Sequence, residues 1–161
     1  LWYTRKRLII MYRFLVTIII SFLFVAFSYG QEENGYSQKV KNKTYHYDKA
    51  GNCMGFDRYD PKRKATVHYD CRKKEVGYVK VDSKTRRTIN YDTNDNIVSY
   101  SKVKSQKTYR YDKDDNCLGY YKNDSRNKRK VYYDCNDQMK AYSKTEGDKT
   151  LYYGQFPIIG W

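Results

Sequence analysis

Aliphatic side chains are scarce in this chain. Residues 31–161 hold only 14 Val, Ile and Leu among 131 positions, which excludes a large aliphatic core; so charged a sequence folds only if something else is buried. No apolar period of three to four residues crosses that stretch, so no helix is expected in it. The four cysteines show no C-x₂₋₄-C spacing, which argues against a zinc site and leaves no cofactor to expect. Histidine is limited to two residues, and no Ser, Cys or acid stands at a recognisable catalytic spacing from either. Both tryptophans, Trp2 and Trp161, lie near the ends of the chain.

Tyrosine and positive charge are plentiful. The 161 residues include 20 Tyr, and 32 Lys+Arg stand against 18 Asp+Glu for a net +14. Arg5, Lys6, Arg7 and Arg13 are the only charged residues of the first 30, so 28 basic and 18 acidic residues, net +10, belong to residues 31–161.

Met11-Tyr12-Arg13 precedes an apolar run from Phe14 to Phe27, and Ser28-Tyr29-Gly30 places small residues at −3 and −1 of a cut before Gln31. This predicts a signal-peptide helix over residues 1–30 with Met11 as the true start. An uncleaved anchor is the alternative, although the run is short for a membrane span. No Cys follows the expected cut, so a lipoprotein anchor has no support. Export implies a secreted, periplasmic or cell-surface location.

Tyr-Asp recurs at Tyr47, Tyr69, Tyr91, Tyr111 and Tyr133, and Tyr153-Gly154 closes the series, with steps of 22, 22, 20, 22 and 20 residues. A fixed period signals a repeat array. The units run over residues 44–65, 66–87, 88–107, 108–129 and 130–149, with a truncated 150–161, and residues 31–43 read as a polar, flexible lead-in outside the pattern. Each unit alternates in β-formers, passes through turn chemistry such as Lys49-Ala50-Gly51-Asn52, and resumes an extended run, which makes it a β-hairpin. The expected fold is all-β: an elongated antiparallel meander of five and a half hairpin repeats over residues 44–161.

Cys53 and Cys71 are 18 apart, as are Cys117 and Cys135. If consecutive hairpins pair about centres at Lys62 and Arg126, each pair falls directly opposite, within disulfide range. The predicted bridges are Cys53–Cys71 and Cys117–Cys135, in keeping with an oxidising compartment. The same reflection sets Gly55 against Tyr69, Gly77 against Tyr91 and Gly119 against Tyr133, so the rings would cover bare strand backbone and serve as the core.

Tyr45–Asn52 (YHYDKAGN) and Tyr109–Asn116 (YRYDKDDN) resemble the Y-x-Y-D-x-x-G-N signature of YD (Rhs-like) repeats, the family of large secreted bacterial polymorphic toxins and teneurins. The resemblance spans most of residues 44–153 and is clear in the first and fourth units and degenerate elsewhere; Gly51 has no Gly counterpart at Lys73, Asp95, Asp115 or Asp137. It implies a β-shell, which five and a half repeats are too few to close. The hairpins are also similar, more weakly, to choline-binding repeats, which keeps cell-wall or glycan attachment open.

His46 and His68 fall in strands, His68 opposite Phe56 in the proposed register, and read as structural or surface residues tolerant of replacement. Asp92-x-Asn94-x-Asn96 and Asp112-x-Asp114-x-Asn116 lack the Gly and Glu of an EF-hand and belong to hairpin turns. Basic residues gather at the turns between units, at Arg86 and Arg87 and at Arg126, Lys128, Arg129 and Lys130, along one edge of the sheet. With the faces of Tyr47, Tyr69, Tyr91, Tyr111 and Tyr133 they form the candidate binding surface. Its expected partner is an acidic glycan, a cell-wall polymer or an anionic envelope surface; nucleic acid is not expected, because no nucleic-acid fold signature accompanies the basic runs. The functional expectation is a secreted non-enzymatic binding or structural module. The alternatives are a building block self-associating through its apolar C-terminal strand, residues 150–161, and a hydrolase or toxin-related component.

Overall fold

The computed structural model describes residues 32–155; residues 1–31, where a signal-peptide helix is expected, and the residues after Gln155 lie outside the described residues. Twelve strands follow one another: β1 (Glu33–Val40), β2 (Lys43–Asp48), β3 (Cys53–Asp60), β4 (Ala65–Tyr69), β5 (Glu75–Asp82), β6 (Arg87–Tyr91), β7 (Ile97–Lys104), β8 (Lys107–Asp112), β9 (Cys117–Asp124), β10 (Arg129–Tyr133), β11 (Met139–Glu146) and β12 (Lys149–Gly154). Every pairing is antiparallel, and β12 pairs with β1, so the sheet closes into a barrel.

The expected all-β hairpin array is therefore present, but it is closed, not an open meander. Two features close it. The stretch read as a lead-in supplies β1, in which Gly35-Tyr36 repeats the Gly-aromatic step of Gly55-Phe56, Gly77-Tyr78 and Gly119-Tyr120. β1 is the missing second strand of the truncated last unit, so the half repeat at the C-terminus and the half repeat at the N-terminus make one. The second feature is curvature. The ladder slips by one residue in β2–β3, β4–β5, β6–β7, β8–β9, β10–β11 and β1–β12. A bulge at each of six regular positions bends and twists the sheet the same way until its edges meet. Both edges of β12 are paired, with β11 and β1; the edge strands that a meander would offer for self-association are taken.

Turn length explains the uneven period. Four-residue turns, 61–64, 83–86 and 125–128, join β3–β4, β5–β6 and β9–β10. Two-residue turns, 105–106 and 147–148, join β7–β8 and β11–β12 and shorten those steps to 20. Ser105 and Gln106 both have positive φ, 50° and 64°, the left-handed geometry that a two-residue turn needs to match strand twist. The four-residue turns each start at an aspartate that accepts bonds from the turn, as Asp60 does from Lys62 N at 2.9 Å and Asp82 from Lys84 N at 2.9 Å.

These even turn lengths also correct the register by one residue. Asp60 pairs with Ala65, so the mirror lies between Lys62 and Arg63; Tyr69 faces Phe56, Tyr91 faces Tyr78 and Tyr133 faces Tyr120. The glycines fall beside backbone instead. A Cβ on Gly55, whose φ is 144°, would sit 2.4 Å from the Tyr69 carbonyl oxygen, an approach only glycine permits. Both disulfides form as expected, Cys53–Cys71 and Cys117–Cys135, with Cα separations of 6.0 and 6.1 Å. They survive the altered register because the bulges that follow Cys53 and Cys117 shift each strand back by one residue.

Side chains alternate between two faces of the wall. One set holds Lys43, Arg58, Lys80, Arg87, Lys102 and Lys122, and faces outward. The other holds small and polar groups, Ser37, His46, Asp57, Asn90, Ser99 and Ser143, and faces the lumen. A concave cavity lined by this second set from four successive strands identifies the inner side. Val67 and Val131 are buried at 0% and 2% exposure in the outward set, opposite Tyr78 and Tyr142. In register Val67 lies between Arg58 and Tyr78, and Val131 between Lys122 and Tyr142, so rings and Lys and Arg stems cover the few buried aliphatic groups among the described residues.

Candidate functional site

The tyrosines of the Tyr-Asp motif form a belt outside the barrel. Each stacks on the aromatic residue after the bulge of the neighbouring strand: Tyr47 on Tyr36 at 4.8 Å between centroids, Tyr69 on Phe56 at 4.8 Å, Tyr91 on Tyr78 at 4.8 Å, Tyr111 on Tyr100 at 5.2 Å, and Tyr133 on Tyr120 at 4.9 Å. Cations cover many of the rings, with Arg87 4.3 Å from the Tyr100 centroid and Lys107 4.2 Å from that of Tyr120. Such offset stacks and cation–π contacts each add about 1 kcal/mol beyond burial, so the belt acts as the wall's own glue.

The motif's aspartate shapes the turn that follows. Asp92 accepts from Asn94 N, Asn96 N and Asn96 Nδ2 at 2.8, 2.9 and 2.9 Å, and Asp112 repeats the pattern with Asp114 and Asn116. The side-chain bond from Asn96 leads the groups that hold the Asp92 carboxyl below the ordinary carboxylate range. The fourth residue of the motif's turn takes positive φ in every unit, at Gly51, Lys73, Asp95, Asp115 and Asp137. Aspartate tolerates that conformation, and at Asp95, Asp115 and Asp137 it gains a bond from the hydroxyl of Tyr78, Tyr100 and Tyr120 at 3.0, 2.7 and 2.7 Å.

The two rims of the barrel therefore differ. The Tyr-Asp turns make one rim rich in aspartate. The turns between units make the other, where Lys62, Lys64, Lys84, Arg86, Arg126 and Lys128 are exposed. The candidate surface divides accordingly. Arg86, Arg126 and Lys128 stand on the basic rim, Arg87 and Arg129 turn outward over Tyr100 and Tyr142, and Lys130 turns into the lumen over Tyr121 at 4.8 Å. The Tyr-Asp tyrosines lie toward the aspartate rim.

Inside the wall, Asp57 joins both histidines. Its Oδ1 lies 2.7 Å from His68 Nδ1 and its Oδ2 lies 3.1 Å from His46 Nε2. His68 thus faces Asp57 and not Phe56, a consequence of the register. Burial pushes the Asp57 carboxyl up, but the hydrogen bonds and charge of the two imidazoles prevail and hold it below the ordinary value. Asp57 is the acid that sequence reasoning missed. Its signal was available: two residues after each small bulge residue stand Ser37, Asp57, Val79, Ser101, Tyr121 and Ser143, and only Asp57 carries charge. Asp57→Ala is expected to cost roughly 1.5–3 kcal/mol, the worth of bonds to a charged group, read as a lower denaturant midpoint. Because the carboxyl is depressed in the folded state, its stabilisation is present above pH ~4 and fades as pH falls below that; the gap between the two proteins should close in acid. Among the described residues no group of three or more His, Cys, Asp or Glu is arranged to hold a metal ion.

At the basic mouth the lumen wall of β9–β12 frames an open cavity of about 390 Å³. Asn123, Lys130, Tyr132, Ser143, Thr145, Thr150 and Tyr152 line it, with Asp124, Ser125, Lys128 and Arg129 at its lip. Asp124 is engaged by Asn127 Nδ2 at 2.9 Å and Arg129 Nε at 3.0 Å, and these two bonds hold its carboxyl down at about 2. Burial pushes the Tyr132 phenol up to about 12 against a hydrogen bond from Ser143, so it stays protonated. Tyr152 OH lies 2.8 Å from Ser37 Oγ, and the Thr145 and Thr150 hydroxyls are 3.0 Å apart.

No family model and no curated protein matches the chain. Its fold is similar to that in the X-ray structure of a protein from Arabidopsis thaliana, with a TM-score of 0.54 and 15% sequence identity over 76% of this chain and 79% of that one. At that identity the likeness is one of fold alone.

Proposed function

We propose that the protein is a secreted, non-enzymatic binding module, a compact YD-like repeat barrel that engages an anionic glycan or similar polyanion at the envelope or outside the cell through its basic rim. The observation that carries this reading is the axial division of charge. Exposed Lys62, Arg63, Lys64, Lys84, Arg86, Arg126 and Lys128 crown one end, and the aspartate turns the other. A rim of net positive charge around a concave mouth focuses its field there and draws a polyanion to that end. The two disulfides fit an oxidising compartment. The motif tyrosines enter this reading as scaffold and not as contact surface, because stacking and cation–π contacts occupy their faces.

Retention on immobilised heparin tests it. The protein should bind at low salt and elute as salt rises, because these charges are exposed and screened within about 8 Å at physiological ionic strength. Lys84→Glu with Arg126→Glu should weaken apparent affinity on the order of tenfold. Replacing exposed lysines of the aspartate rim, such as Lys49 and Lys113, should change little. Retention insensitive to salt, or equal loss from both rims, would reject the reading.

A further inference from the structure

We infer that the cavity at the basic mouth, between β9 and β12, binds a single acidic sugar residue: a monosaccharide unit bearing one carboxylate. This rests on the reading of the mouth as the anion-binding end and names what enters it.

The cavity is of a size that takes a small ligand, and its chemistry is specific. Lys130 lies directly between Asn123 and Ser143 on the neighbouring strands, and Ser143 faces Tyr152 in turn. An amide, an ammonium and two hydroxyls thus stand in one row across four strands, and Thr145 and Thr150 form the next row toward the mouth. Hydroxyl and amide groups both donate and accept, which matches the mixed demands of a polyhydroxylated ring. Lys130 is the one cation in the inner rows of this lining; Lys128 and Arg129 stand at the lip, where Asp124 engages Arg129, so the lining suits one negative charge amid many hydroxyls better than a multiply charged phosphate, which calls for forked or clustered donors. The single acid of the lip, Asp124, is held by Arg129 and Asn127, which removes its repulsion of an incoming carboxylate. The ring of Tyr132 supplies an apolar face for the ligand's C–H groups.

Repeat symmetry does not dictate this lining. The two halves of the barrel are offset by 64 residues, as the disulfides show by falling at Cys53–Cys71 and Cys117–Cys135. In the first half, Tyr59, Thr66, Val79 and Val81 stand where the second has Asn123, Lys130, Ser143 and Thr145. The polar set is peculiar to one side of the wall.

Titration of the protein with D-glucuronate, D-glucose and inorganic phosphate, followed by saturation-transfer NMR and calorimetry, tests the assignment. Glucuronate should bind, glucose at least tenfold more weakly, and phosphate should not compete. Lys130→Met should lose glucuronate at least tenfold, whereas Lys84→Glu with Arg126→Glu should leave it within about twofold while still weakening heparin retention. If Lys130→Met does not fold, Thr145→Val with Thr150→Val gives the same reading at the outer row. Glucuronate binding unchanged by the cavity variants, or phosphate binding in its place, overturns the site. Absence of glucuronate binding alongside salt-dependent heparin retention also overturns it and leaves the rim reading standing; loss of heparin retention alone, with Lys130-dependent glucuronate binding, rejects the rim reading and keeps the site.

Discussion

Deleting Glu33–Val40 is expected to abolish the closed barrel outright. β1 joins β2 over six residue pairs and β12 over five. In an antiparallel ladder that is about ten backbone hydrogen bonds, each worth roughly 0.5–1.5 kcal/mol net, so the sum is comparable to the 5–15 kcal/mol that holds an ordinary domain. More is lost with it: the Tyr36–Tyr47 stack at 4.8 Å, Lys149 over the Tyr36 ring at 3.8 Å, and the Ser37–Tyr152 contact. The eleven remaining strands would expose the edges of β2 and β12, and such edges recruit other chains. Size-exclusion chromatography should show association, and thermal unfolding should lose its cooperative step. A deletion variant that stays monomeric and melts cooperatively would mean that the hairpins, and not closure, hold the wall together. Restoring the segment as a separate peptide should recover the monomer in proportion to peptide concentration, since only the closed form has both edges to grip it.

That strand was also the hardest element to read. The repeat, its hairpins and both disulfides were legible, because each follows from local chemistry: β-formers, turn residues and paired cysteines at a constant spacing. β1 carries no Tyr-Asp, since it supplies only the second half of a unit, and its signal shrinks to Gly35-Tyr36 in a polar stretch. Closure was illegible for a related reason. Six bulges curve the sheet, and a bulge is one extra residue that alternation alone does not reveal. The one-residue error in register came from centring the mirror on the cysteines, whose position the bulges shift. Its cost fell on the candidate site, because a one-residue slip exchanges the faces of a strand. It set His68 against Phe56 and hid the Asp57 bridge. Basic turns, by contrast, stay together whether the sheet is open or closed, so Arg86, Arg126 and Lys128 of the cationic edge lie on one rim. Arg87, Arg129 and Lys130 left that set because they lie in β6 and β10, the first two facing outward and Lys130 facing the lumen.

Loss of the disulfides is expected to be the second large effect. Each bridge spans 18 residues and ties the first residue of β3 or β9 to the next Tyr-Asp turn at the aspartate rim. In the chain-entropy account a loop of that length is worth about 3 kcal/mol. The bridges share no partner and fall in different halves of the repeat array, so their contributions should add. Cys53→Ala with Cys71→Ala should lower unfolding free energy by about 3 kcal/mol, and removal of both bridges by about 6 kcal/mol, a large part of an ordinary domain's stability. The measurement is a guanidinium titration of the oxidised protein, of each double variant and of the fully reduced chain. Equal midpoints for oxidised and reduced protein would show that the ladder and the aromatic belt suffice. The expectation of a large loss follows from the composition: with 14 Val, Ile and Leu in residues 31–161, the wall has little aliphatic burial to offset the entropy of ordering its strands. A reducing environment should therefore leave the barrel marginal, which couples its folding to an oxidising compartment through the same four cysteines.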